Sequence, residues 1–195
     1  MAKGIYLKCF IKSTRFAFLR VFEPDNYGGK DRYSVTLLIP KNSPELGNIK
    51  DTFNMAVSQA ANILDGAKVD ISSILKDGDE KAGVGGYDGF EGNYYLKAAC
   101  EPKFGKPEVF RKNTSGMGGS VIVVTDPNEI HSGDYGMATI QFHPYNTASK
   151  KGVTCILKGI CKTEEGEHLS DGGDSGSEAD FSAALEDDGD MPDFL

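Results

Sequence analysis

The chain has 195 residues, with 21 Lys and Arg against 29 Asp and Glu, a net charge of −8, a pI near 4.9, 24 Gly and no Trp. That total hides a division: residues 1–162 hold all 21 bases and 17 acids, a balance of +4, while residues 163–195 hold twelve acids and no base. No segment approaches the about 18 apolar residues of a membrane span, no leader-like run follows Met1, and Cys9, Cys100, Cys155 and Cys161 form no C-x-x-C pair or zinc spacing; the expectation is a soluble, intracellular protein with reduced core thiols, no metal and no cofactor.

Residues 5–22 alternate with period 2, as a half-buried strand or strand pair does. The odd positions are mostly apolar. The even positions interleave aromatics and cations: Tyr6, Lys8, Phe10, Lys12, Phe16, Phe18 and Arg20, with Arg15 at a break near residues 13–15. Residues 23–31 carry turn formers and are expected to be a loop. Residues 33–39 predict a second strand that Pro40 ends. Ser43, Pro44 and Glu45 are helix-start residues, and Leu46, Ile49, Phe53, Val57, Ala60 and Leu64 recur at helical spacing up to Gly66. This helix is expected to be core packing.

Residues 69–92 predict a glycine-rich surface loop without phosphate-loop spacing. Residues 94–101 predict a strand with Tyr95 and Lys97 on one face. A basic connection follows, with Lys103, Lys106, Arg111 and Lys112. Residues 121–125 predict a short strand. Residues 135–145 alternate, with Ala138, Ile140 and Phe142 inward and Tyr135, Met137, Gln141, His143 and Tyr145 outward. Lys150 and Lys151 sit in the next turn, and residues 153–161 predict the last strand. The remainder is too acidic and too rich in Gly and Ser to bury a core.

Six or seven strands, one helix and long loops predict a mainly β fold: an OB-type Greek-key barrel with one inserted helix over residues 1–162, then a disordered acidic tail over 163–195. A β-sandwich is the alternative. Asp126, Glu129 and His131 lie close in sequence, but Asp126-Pro127-Asn128 reads as a turn. No nucleophile elbow or fixed carboxylate pair is present, so no enzyme signature emerges. Binding is the better class. Rings for base stacking plus a modest cationic groove suit single strands, and stacking tolerates any sequence. The expected stackers are Tyr6, Phe10, Phe16, Phe18, Tyr95 and Tyr135. The expected phosphate contacts are Lys8, Lys12, Arg15, Arg20, Lys97, Lys103, Lys106, Arg111, Lys112, Lys150 and Lys151. The acidic tail then competes with the nucleic acid for the groove at high effective concentration. Two rival readings are an acidic protein that mimics DNA to block another factor, and a nucleic-acid-processing enzyme.

The segments FEP (22–24), RYSVTLLIP (32–40), LKDGDE (75–80), YGMATIQFHPYNT (135–147) and GVTCILKGICK (152–162), together with the acidic tail, run in collinear order. In them the chain resembles the OB-fold single-stranded DNA-binding proteins of tailed bacteriophages. The resemblance implies non-specific coating of single-stranded DNA in phage replication, recombination and repair, in the host cytoplasm. It implies a homodimer or larger homo-oligomer. It also implies that the tail contacts replication proteins such as a polymerase, helicase or primase, through Asp190, Met191, Pro192, Asp193, Phe194 and Leu195. In the podovirus proteins of this kind the acidic tail ends in Phe; here Leu195 follows Phe194.

Overall fold

The computed structural model describes residues 5–27, 29–115 and 119–170. The strands are β1 (Leu7–Tyr27), β2 (Lys30–Pro40), β3 (Leu75–Asp77), β4 (Asn93–Cys100), β5 (Glu108–Lys112), β6 (Val121–Val123), β7 (Tyr135–Asn146) and β8 (Lys151–Glu164). They form one sheet in the order β3-β4-β2-β1-β7-β8-β5-β6. A parallel contact of β4 with β8, through the pair Ala99–Ile156, closes five of them into a barrel. Four joins are antiparallel and the closing one is parallel, the arrangement of the OB fold. No helix among the described residues is long and apolar enough to cross a membrane.

The barrel interior is built from alternate residues: Cys9 and Ile11 of β1, Val35, Leu37 and Ile39 of β2, Leu96 and Ala98 of β4, Ala138, Ile140 and Phe142 of β7, and Cys155 and Leu157 of β8. Each fully buried Val, Leu, Ile or Phe among them contributes about 1.5–3 kcal/mol. Helix α1 (Glu45–Gln59) packs Leu46, Ile49, Phe53 and Ala56 against the core, with Phe53 edge-on to Phe142 at 5.7 Å. The expected single helix is interrupted at Ala60. A short α2 (Ala61–Leu64) follows and ends where Asp65 and Gly66 take positive φ.

β2 is buried continuously from Ser34 to Ile39. Its second face explains the apolar run RYSVTLLIP. Leu38 points out of the barrel and is covered by Phe90 and Leu169 in a small outer core with Ala17, flanked by Phe18, Tyr87 and Tyr95. A strand with two covered faces reads as an unbroken apolar segment. LKDGDE holds the covering loop. Lys41 Nζ pairs with Asp77 (2.6 Å) and Asp79 (2.5 Å), and Asp79 also accepts from the Gly92 N–H (2.7 Å).

Four expectations are corrected. The stretch expected as a loop over 23–31 is largely strand: β1 runs to Tyr27 and β2 starts at Lys30, pairing Asp25 with Arg32 and Asn26 with Asp31. The 69–92 stretch contains β3, paired to β4. The basic connection contains β5, which pairs with β6 and, in parallel, with β8. The boundary drawn after Lys162 falls inside β8, and residues 165–170 continue across the barrel wall. Leu169 is 5% exposed, its N–H donates to the Ser132 carbonyl (3.0 Å), and Arg15 donates to the Gly133 and Glu167 carbonyls (2.9 and 2.8 Å). A Cβ on Gly133 would sit 1.9 Å from the Glu167 oxygen, so only glycine lets these backbones touch. The acidic segment from 171 onward lies outside the described residues.

Candidate nucleic-acid interface

A groove crosses the outer face of the barrel in two lobes. The smaller, about 660 Å³, lies over Lys8 and Phe10 of β1, Met137, Thr139 and Gln141 of β7, and Lys158 and Gly159 of β8, walled by Lys106, Glu108, Phe110 and Val121. The larger, about 1030 Å³, begins at the shared residues Gln141 and Lys158. It runs past Tyr6, His143 and Tyr145 to Tyr95 and Lys97 of β4, Lys30 and Arg32 of β2, Lys76 of β3, and Lys103 and Phe104. The concavity follows from side-chain size. Register sets the small outward Thr139 against Gly159, and Ala99 lies in the larger lobe, while long cations and rings stand at the rims.

Eight cations line the two lobes, Lys8, Lys30, Arg32, Lys76, Lys97, Lys103, Lys106 and Lys158, against two acids, Glu101 and Glu108. The groove is therefore far more positive than the chain as a whole. Lys103 bonds Glu101 (2.6 Å) and holds that carboxyl below its ordinary value, with Lys30 and Arg32 adding to the effect. Rings are available. Tyr6 is 52% exposed, Phe10 44% and Phe104 69%. Tyr6 lies flat on His143, with centroids 4.5 Å apart and planes at 6°. Tyr95 packs edge-on to Phe90 at 5.1 Å, which joins the groove wall to the outer core.

Seven of the residues expected from sequence line the groove: Tyr6, Lys8, Phe10, Tyr95, Lys97, Lys103 and Lys106. The others stand elsewhere. Phe16 is fully buried in the barrel core and Phe18 packs on Tyr87 and Phe90, so neither is an open stacking face. The cause is a register shift between Ile11 and Thr14 and a second between Ala17 and Arg20. Each inverts the inward parity of β1. Arg15 lies over the Tyr135 ring at 5.2 Å and fastens the 165–170 segment. Arg111 pairs with Glu129 (2.6 Å) and Lys151 with Asp65 (2.7 Å). The Lys12 backbone N–H donates to Glu45 (3.2 Å), and Arg20 donates to the Leu19 carbonyl (3.1 Å). Lys112 ends β5, and Lys150 sits in a turn closed on Thr147. Asp190 to Leu195 lie outside the described residues.

Sequence reasoning missed Lys30, Arg32, Lys76, Phe110, Gln141, His143, Tyr145 and Lys158. Period 2 signalled part of this: the outward face of β7 carries Gln141, His143 and Tyr145, and Thr154, Ile156 and Lys158 alternate with the core residues of β8.

One cluster of metal-type donors occurs among the described residues: His131, Asp134 and Glu165. Its centre is held by an ammonium. Lys162 Nζ lies 2.9 Å from the fully buried Asp134 and 2.8 Å from Glu165. Burial works to lower the Lys162 pKa, but its bonds to Glu165 and Asp134 outweigh that and raise it. The cluster joins β8 to the 126–134 turn, where Asp126 accepts from the Asn128 N–H (2.9 Å), the turn expected from sequence.

The fold has known counterparts. The single-stranded DNA-binding protein from bacteriophage Enc34 aligns with a TM-score of 0.64 and 24% identity, over 89% of each chain. Its complex with single-stranded DNA aligns at 0.64 and 22%, over 83% of this chain and 89% of that one. Gp2.5, a single-stranded DNA-binding protein encoded by bacteriophage T7, aligns at 0.53 and 17%, over 98% and 100%. No curated protein matches the sequence. A family model described as "Enterobacter phage Enc34, ssDNA-binding protein" matches residues 7–192, and the chain belongs to that family.

Proposed function

We propose that the chain binds single-stranded DNA without sequence preference in the two-lobed groove, and so coats and protects it during phage DNA replication, recombination and repair in the host cytoplasm. The observation that carries this is the continuity of the groove. Eight cations and several open rings share one face of a barrel whose family is that of a phage single-stranded DNA-binding protein. Rings take bases of any identity and cations take phosphates, so neither requires base-edge readout. Nothing in this chemistry calls for turnover, and no catalytic role is assigned.

Residues 171–195 hold nine acids and no base. In this reading they compete for the groove, and Asp190 to Leu195 dock replication proteins such as a polymerase, helicase or primase. Self-association belongs to the same reading, with the edge strand β6 and its exposed Val123, which lines neither lobe, as the candidate contact. The test is oligonucleotide binding by the full chain and by residues 1–170. Cutting after Ser170, not Lys162, keeps Leu169 and Glu165 in place. The shorter chain is expected to bind single strands more tightly and duplex weakly. No binding by either form would overturn the groove reading in favour of a DNA mimic. Strand cleavage with Mg²⁺ or Mn²⁺ would overturn it in favour of an enzyme.

A further inference from the structure

We infer that Tyr6 and His143 form one composite base-stacking site in the larger lobe, with His143 as the positioning residue that holds Tyr6 ready. The inference rests on the groove reading and deepens it. Tyr6 is the first residue beyond the β1–β7 ladder, whose last pair is Leu7 with Phe142. A ring just beyond the end of a ladder would ordinarily sample several rotamers and lose that freedom on stacking a base. Here it does not sample freely. The imidazole of His143, fixed on β7 and paired with Thr154 of β8, covers one face of the Tyr6 ring in parallel at 4.5 Å.

The same imidazole holds the backbone. His143 Nδ1 lies 3.3 Å from the carbonyl oxygen of Ile5, a bond the ring donates in that tautomer. One side chain thus fixes both the ring of residue 6 and the peptide that enters it. Tyr6 remains 52% exposed, so a stacking surface is still offered to solvent, and both rings line the lobe. The ordering cost is met in the free protein, and a base adds to a stack that already exists.

The neighbours fit a single strand. Lys8 and Phe10 of β1 and Tyr6, just before that strand, line the two lobes. At about 3.3 Å per residue, Tyr6 and Phe10 stand roughly 13 Å apart with Lys8 midway. Two rings separated by a cation suit two non-adjacent bases with a phosphate between them. Any nucleobase would serve, because every base has a π face.

The experiment uses the full chain and two labelled oligomers of equal length, oligo-dT and an abasic tetrahydrofuran chain with the same phosphates, at low salt. Tyr6→Ala is expected to weaken oligo-dT binding about 5- to 150-fold, the range for loss of one base–aromatic stack, with no change for the abasic chain. His143→Ala is expected to cause a smaller loss, again confined to oligo-dT and absent in a Tyr6→Ala background. His143→Phe, which keeps a flat ring behind Tyr6, is expected to recover most of it. Equal weakening of both oligomers by His143→Ala would mean a general structural or charge effect and would overturn the inference. So would unchanged oligo-dT binding. Wild-type protein that binds neither oligomer would overturn the groove reading itself.

Discussion

Lys158 is the cation shared by the two lobes, and Lys158→Ala tests whether they act as one electrostatic surface. Eight cations line the groove, and about seven phosphate contacts serve as the working count. Single strands release about 0.7 counterion per phosphate contact, so seven contacts give a log–log salt slope of about −5. Raising salt from about 50 to about 200 mM then weakens binding roughly 1,000-fold. Lys158→Ala should flatten the slope by about 0.7 and weaken binding at low salt more than at high salt. The assay is fluorescence anisotropy of a labelled oligomer with residues 1–170, titrated at four or more salt concentrations. A wild-type slope shallower than about −2, or a variant slope equal to wild type, would refute a continuous cationic groove.

Three further outcomes follow from the packing. Gly136→Ala would place a Cβ 2.1 Å from the Cys161 carbonyl oxygen and 2.7 Å from the Phe16 ring, so denaturant unfolding should show a loss of about 3 kcal/mol, the upper end for overpacking. Lys41 and Lys162 hold the carboxyls of Asp77, Asp79 and Glu165 below their ordinary values. The unfolded chain takes up those protons first, so their contribution is present above about pH 4 and is lost as pH falls below it. Lys41→Met should shrink the acid-side drop in Tm, and parallel wild-type and variant curves would exclude that assignment. Burial pushes the thiols of Cys9, Cys100, Cys155 and Cys161 up; all four should resist iodoacetamide at pH 8 in the native protein and react in denaturant.

What could be read from sequence depended on the regularity of each strand. β7 keeps strict alternation from Tyr135 to Tyr145, so its two faces were legible. β1 does not, because register shifts break the parity of one long strand, and the one between Ile11 and Thr14 carries Phe16 into the core. Arg15 carried the signature of a phosphate contact, yet its acceptors are carbonyls 118 and 152 residues away, a separation no local pattern encodes. Lys158 was overlooked because residues 153–161 were read only as the last strand, and Arg32 because it fell between the expected loop over 23–31 and the strand expected from 33. Composition placed residues 165–170 in the tail. Leu169, packed with Phe90 and Leu38, and the bonds to the Glu167 carbonyl and from the Leu169 N–H hold them on the barrel.

The barrel closes through one residue pair, Ala99 with Ile156, and both residues lie in the floor of the larger lobe. Every other join of the barrel has a longer ladder. A strand lying in that lobe rests on β4 and β8 at once, across the seam. If parting the seam destroys the lobe, ligand suppresses the parting by mass action. Amide exchange beside the seam should then slow in proportion to occupancy, while exchange along β1 and β2 responds less. DNA in this groove would act as a staple. The protein shields the strand, and the strand braces the weakest join in the protein.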